Sequence, residues 1–320
     1  VAIGVDAFAD SSYSVAVGNQ SVATGVQSIA IGGDGDDDDS LGAQATGTLS
    51  TAVGGDAVAS GAESSAFGEG AIANETESTA IGQAASASGI GSVALGTDAV
   101  ASQTRAHAIG RDSLASGTTA VALGANAQST ATNALALGGG ASALTAARAT
   151  GTNSIAIGGG ASAQEGALAS ATAAISIGND SQATATGAIA MGSDVLASGA
   201  NATAIGADGS DGDDVGAQAT GEESTALGTD AVASGTQSLA IGRISDASAT
   251  NSTAIGNRAS ATGVGSTALG SNSTSSGLRS MAIGDQAEAS GGRSTALGYQ
   301  AVASFTNSMA IGFGAASSGA

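Results

Sequence analysis

Two runs of carboxylates are the most conspicuous reactive groups in this sequence. One reads Gly33-Asp34-Gly35-Asp36-Asp37-Asp38-Asp39-Ser40 and the other Ala207-Asp208-Gly209-Ser210-Asp211-Gly212-Asp213-Asp214. Carboxylates clustered among turn-forming glycines suit a hard cation such as Ca²⁺, which takes six to eight oxygen ligands. The spacing follows neither the EF-hand loop nor the nonapeptide calcium repeat. Asp34, Asp36, Asp37, Asp38, Asp39, Asp208, Asp211, Asp213 and Asp214 are therefore candidate calcium ligands on one reading. On the other they are solvated, self-repelling surface loops.

His107 is the only histidine. One imidazole per chain is a poor ligand set, although three copies meeting at a symmetry axis would make an ion site; a substitution that its face tolerates is the plainer reading. A catalytic triad cannot be assembled from a single histidine without pocket-building aromatics. The glycines open no helix, so they form no phosphate-binding loop. Sequons such as Asn74-Glu75-Thr76, Asn201-Ala202-Thr203 and Asn251-Ser252-Thr253 arise by chance in a chain this rich in Ser and Thr. The sequence reads as non-enzymatic.

What must position these groups is a repeat. The pattern Ser/Ala-x-Ala-[Ile/Leu/Val]-Gly recurs with 21 anchor glycines, from Gly4 to Gly312, and sixteen of the 20 intervals between them are 14 residues long. The residue before each anchor is apolar, and the one before that is Ala in 20 of 21 cases, Ser176 being the exception. A second small-residue triplet follows, as in Ala57-Val58-Ala59, and a second glycine often lies seven residues past the anchor (Gly25, Gly61, Gly89). The repeat predicts two strands of about five residues, each alternating with period two, separated by turns in which glycine supplies positive φ. A helix with this much glycine would be dismantled, at about 1 kcal/mol for each one. Stacked at about 4.8 Å per coil, the repeats predict an all-β parallel solenoid roughly 100 Å long.

Residues 1–320 are read as a single repeat array. Longer coils at 33–54 and 207–228 carry the acidic loops, and those at 139–158 and 159–178 carry two adjacent insertions of six residues each. Adjacent insertions would form one shared protrusion, and recognition commonly resides on such loops. The array begins and ends in mid-pattern, as expected of a piece of a longer one.

Composition narrows the function classes. With no Cys, Pro or Trp, 2 Tyr and 4 Phe, the chain has no thiolate chemistry and no large aromatic core. Its net charge of −20, with 7 basic residues, all Arg, excludes nucleic acid and direct contact with anionic lipid as partners. No run of 18 or more apolar residues is present.

A 14-residue coil with an interior of mainly Ala and one Ile or Leu encloses almost no volume. Period-two alternation sets Ala and Ser on one face and the bulkier residues, such as Ile29, Leu135 and Met281, on the other, so both faces ask for burial. An obligate oligomer follows. The spacing leaves open which face lines the coil and which meets the partner.

The repeat, as in Ser252-Thr253-Ala254-Ile255-Gly256-Asn257-Arg258-Ala259-Ser260-Ala261-Thr262-Gly263, resembles the head repeat of the trimeric autotransporter adhesins, the YadA-like heads. The resemblance runs through essentially the whole chain, interrupted by the four longer coils. It implies a left-handed parallel β-roll of 14-residue coils in a side-by-side homotrimer, exported and displayed at the bacterial outer membrane. It also implies attachment to host cells, extracellular-matrix proteins or other bacteria. Stalk heptads, a neck and a membrane anchor are missing from this sequence. The competing reading is an ice-binding or other surface-templating solenoid, which wants a Thr-x-Thr ladder. The central residue of Ala-x-Ala varies instead: Val58, Ile72, Gln128, Asp246, Glu288. A hydrolase on a β-helix would need carboxylates gathered on a regular face, and here they concentrate in loops.

Overall fold

A computed structural model describes residues 1–34, 41–160, 165–209 and 215–317. The chain forms two compact units, Val1–Gly166 and Ala167–Ala320. Each is a β-solenoid of stacked parallel coils, and no described residue is helical.

Every coil after the first contributes a three-residue strand that ends just before its anchor glycine, such as Thr79–Ile81, and a two-residue strand beyond it, such as Ser86–Ala87. Equivalent strands pair in parallel and in register: Thr79, Ala80 and Ile81 face Val93, Ala94 and Leu95 of the next coil. Where a coil is longer, the extra residues leave at the corner after the anchor and the register resumes beyond them. Ile29 faces Thr51 across the first acidic insertion, Leu135 faces Ile155 across the first six-residue one, and Thr203 faces Thr225 across the second acidic one.

The strands are shorter than the five residues expected because the corners consume the difference. Each regular coil turns twice through four residues, as at Gly96–Ala99 and Gln103–Ala106, closed by Ala99 N–H to Gly96 O (3.2 Å) and Ala106 N–H to Gln103 O (3.0 Å). The third residue of each turn has positive φ, +55° at Asp98 and +54° at Arg105, as in turns that carry a left-handed residue at that place. These positions hold Asp, Asn, Gln, Glu and Arg more often than glycine. The corners are also bonded from coil to coil, Asp98 N–H to Gln83 O at 2.9 Å and Arg105 N–H to Ile90 O at 2.8 Å, so the ladder continues round the bends.

The anchor glycine is required twice over. Gly110 has φ +135°, and a Cβ there would stand 2.5 Å from the carbonyl carbon and oxygen of Gly124 in the next coil. The second glycine has another reason: Gly61 does not have positive φ, but a Cβ on it would meet Glu75 O at 2.0 Å. It is there for close approach.

The interior settles which face lines the coil. Among the described residues the buried apolar side chains are all Ala apart from Val195, and the buried polar ones are all Ser. The Ile or Leu before each anchor takes no part in the interior. It points outward, against the expectation that one such residue fills the coil, because two short strands this close leave room for methyl and hydroxymethyl groups only. Many of the buried hydroxyls are satisfied within their own corner: Ser64 Oγ donates to Gly61 O (2.7 Å), Ser113 Oγ to Gly110 O (2.8 Å).

Candidate functional surface

The outer face of the three-residue strands carries two files of side chains. The file next to the anchor is aliphatic in nearly every coil, and Ile81, Leu95 and Leu123 are each 40% exposed. The parallel file, two residues earlier, mixes Val, Ile, Leu, Thr and Met and is mostly half-buried. Soluble chains rarely leave so long a contiguous apolar stripe in water unless something covers it. The rigid ladder beneath holds each side chain about 4.8 Å from its equivalent in the next coil.

His107 lies in that second file, half-buried, with Val93 and Val121 as its register neighbours. A single chain brings no second titratable group beside it in this file. The other outer face carries the central residue of Ala-x-Ala, a varied file that includes Val58, Gln128, Arg148, Asp246 and Glu288.

Asp34 and Asp208 occupy equivalent places, two residues after anchors Gly32 and Gly206, at the bases of the acidic loops. Their backbone N–H groups donate to Asn19 O (3.1 Å) and Ser193 O (3.2 Å) of the preceding coil. The coil after the second loop buttresses it: Gly209 N–H donates to Asp230 Oδ1 at 2.8 Å. The remaining candidate ligands, Asp36, Asp37, Asp38, Asp39, Asp211, Asp213 and Asp214, lie outside the described residues. Among the described residues no group of three or more His, Asp or Glu side chains is arranged to hold a metal ion.

The two six-residue insertions do meet. Gly160 N–H donates to Thr145 O (2.6 Å) and Gly166 N–H to Leu144 O (3.0 Å), while Arg148 Nη2 pairs with Glu165 Oε2 at 2.6 Å. The Arg148 side chain is 15% exposed and Leu144 is exposed on the first insertion.

Two features escaped the sequence reading. The positive-φ corners carry stacked polar side chains, Asn133 Nδ2 donating to Asn153 Oδ1 (2.9 Å) and Gln300 Nε2 to Gln286 Oε1 (2.9 Å); the recurrence of Asn and Gln from coil to coil, 20 residues apart in the first pair and 14 in the second, is the available signal. Hydroxyls also line up on the corner after the two-residue strand, where Thr104, Thr118, Thr132 and Thr152 are exposed in successive coils, each preceded two residues earlier by Ser or Thr.

Compared with known proteins, the chain finds no match among curated sequences. The family model described as the YadA head domain repeat, which spans two copies, matches residues 1–21, 9–34, 45–71, 59–85, 73–99, 87–113, 115–141, 145–164, 169–194, 219–243, 247–273, 275–301 and 289–315.

Proposed function

We propose, on the premise that this chain belongs to the YadA head domain family, that it is the adhesive head of a trimeric autotransporter adhesin. Three copies pack side by side as left-handed rolls, with the aliphatic files of the three-residue strands turned toward one another. The array 1–320 is displayed at a bacterial surface and attaches the cell to host cells, extracellular-matrix proteins or other bacteria. The observation that carries the reading is the file of apolar residues beside the anchors, exposed or half-buried in coil after coil of each unit. A core of Ala and Ser stabilises each coil only weakly, since each methyl removes little apolar area from water, and covering that file supplies what the interior lacks.

The head acts by holding a rigid surface. Its varied outer file and its insertions face solvent, and three copies of each give many weak contacts that act together. In such a trimer His107 from three chains would approach the axis, making the ion site that one chain lacks.

The test is the solution mass by light scattering, with and without a chelator. The 29.3 kDa chain is expected at about three times its mass. A folded monomer would sink the shared-core argument. A mass or melting point that falls with chelator would assign the acidic loops to calcium. Adhesion is then read on immobilised matrix proteins and on cells. The hydroxyl rows on the corner favour a second reading, a surface-templating solenoid. Thermal hysteresis in ice at micromolar protein, combined with a monomeric mass, would replace the first reading with the second.

A further inference from the structure

The corner just before the second acidic insertion departs from its equivalents. Val195 occupies the interior place three residues after anchor Gly192, where other coils hold Ala or Ser (Ala99, Ser113, Ser181, Ala231), and it is 1% exposed. The interior is sized for a methyl group, so a valine there wedges the corner. Its Cγ2 lies 3.0 Å from where a Cβ of Gly192 would stand, and the chain from Gly192 to Asp194 bends without the closing hydrogen bond seen at Gly96–Ala99. The corner is held from outside instead, Asp194 N–H donating to Asn179 O (3.0 Å) and Gly216 N–H to Asp194 O (2.9 Å).

Beside this corner lies a cavity of about 210 Å³, open to the outer surface and lined in part by Val195. Asp180 and Asp194, equivalent residues of successive coils, supply two carboxylates to it. Gln182 and Gln218 add amides, and Leu196, between them in the file, forms a hydrocarbon wall with Val215. Drug-sized ligands occupy roughly 300–1,000 Å³, so the space suits a single long side chain. Their backbone positions are one coil apart, a spacing of about 4.8 Å in a regular stack. Asp180 receives only a long contact from Gln182 Nε2 (3.4 Å), and Asp194 Oδ2 accepts from Ser193 Oγ (2.5 Å). Among the described residues neither is paired with an arginine, the two ion pairs being Arg111–Asp112 and Arg148–Glu165.

We propose that this cavity receives one arginine side chain of a partner protein. A planar guanidinium presents five N–H donors in a fixed fork, enough for both carboxylates and the amide oxygens, while its methylene stem lies along Leu196 and Val215 as such stems do on apolar surface. The matching corner before the first acidic insertion is an internal control. It has Asp6, Phe8, Gln20, Ser21, Val22 and Gln44 at the corresponding places, hence one carboxylate, an aromatic ring where Gln182 stands, and no wedge. The proposal draws on the adhesive reading only for the source of the arginine.

The test is a methyl-NMR titration of the whole chain with N-acetyl-arginine amide, its neutral citrulline counterpart and calcium chloride. Arginine should produce saturable shifts at Val195, Leu196 and Val215, with citrulline about tenfold weaker or more. Asp180→Asn with Asp194→Asn should weaken arginine by a similar factor, because asparagine tolerates the positive φ at Asp194. The Ala-rich core spectrum should stay unchanged, and Leu196→Ala checks the hydrocarbon wall without touching the corner. Equal binding of citrulline, shifts with calcium alone, or shifts that survive the double variant would each overturn the proposal. Solution mass measured on the same sample keeps the outcomes separate: a trimer that ignores arginine sinks the cavity proposal alone.

Discussion

Ala94 and Leu95 are neighbours on one strand, yet they belong to different worlds. Ala94 is fully buried inside the coil and Leu95 is 40% exposed on its outside. The same contrast holds in coil after coil. The inner face repeats Ala and Ser with almost no variation, while the outer files range from Thr to Phe and from Asp to Arg. The inner face is fixed by volume, because two strands across a 14-residue coil approach too closely for a branched side chain. The outer face is fixed by what it meets. A stack of this kind can therefore change its partners through outward residues and corner insertions while the coil remains as it is.

The largest effect expected to sharpen that contrast lies on the backbone that brings the coils together. Gly110→Val adds a β-branched side chain at φ +135° and drives its Cβ into the carbonyl of Gly124. Strain and overlap together should cost more than about 3 kcal/mol. Coils interact with nearest neighbours, so the loss should show as a local melting unit in amide hydrogen exchange.

Next comes the direct exchange of inside and outside. Ala94→Leu overfills the interior and should destabilise by roughly 1–3 kcal/mol in thermal unfolding. Leu95→Asp leaves the coil of a single chain folded and acts on assembly. Repeated at Leu123, it should shift the solution mass toward one chain with the β-type circular dichroism kept. An unchanged mass in the Asp variants would break the assignment of the aliphatic file to the subunit interface.

Much of this was legible in the sequence. The anchors of Ser252-Thr253-Ala254-Ile255-Gly256 and their 14-residue recurrence predict parallel stacked strands, and period-two alternation separates Ala254 from Ile255. Which of the two faces turns inward was not legible, because Ala and Ile are both apolar and alternation carries no measure of coil width. The corners were legible only in part. Positive φ does fall on anchor glycines such as Gly110, but Asp98, Arg105, Asn126 and Asn133 bear it as well, and Gly61 serves close approach. The cavity beside Val195 involves a valine at a place where other coils hold Ala or Ser, which a repeat pattern treats as ordinary variation. The acidic loops announce their charge in the sequence but carry no period from which a ligand geometry could be read.

A smaller effect separates interior residues of one type. Ser64 Oγ donates to Gly61 O at 2.7 Å, whereas Ser154 Oγ is buried without a hydrogen-bond partner. Ser64→Ala should cost about 1 kcal/mol, and Ser154→Ala should be neutral or stabilising, since it removes a desolvated hydroxyl that gains nothing in return. Equal losses at both sites, measured by denaturant unfolding, would mean that the hydroxyls act through packing alone.

The smallest effect belongs to the outer face of the two-residue strands. Asp246 sits between Val232 and Ser260 in that file. Burial raises its pKa above the usual 3.8, against an opposing hydrogen bond from Ser248. A carboxyl that holds its proton more tightly folded than unfolded is a liability when ionised. The penalty is absent below the ordinary carboxylate value, grows as pH rises through the raised one, and is full at neutral pH. Asp246→Asn should therefore raise the melting temperature slightly near pH 7, with the gain shrinking to nothing as the pH falls toward 4. A difference between variant and parent that stays constant across this range would assign the effect to the amide's own contacts and leave the carboxylate without a role.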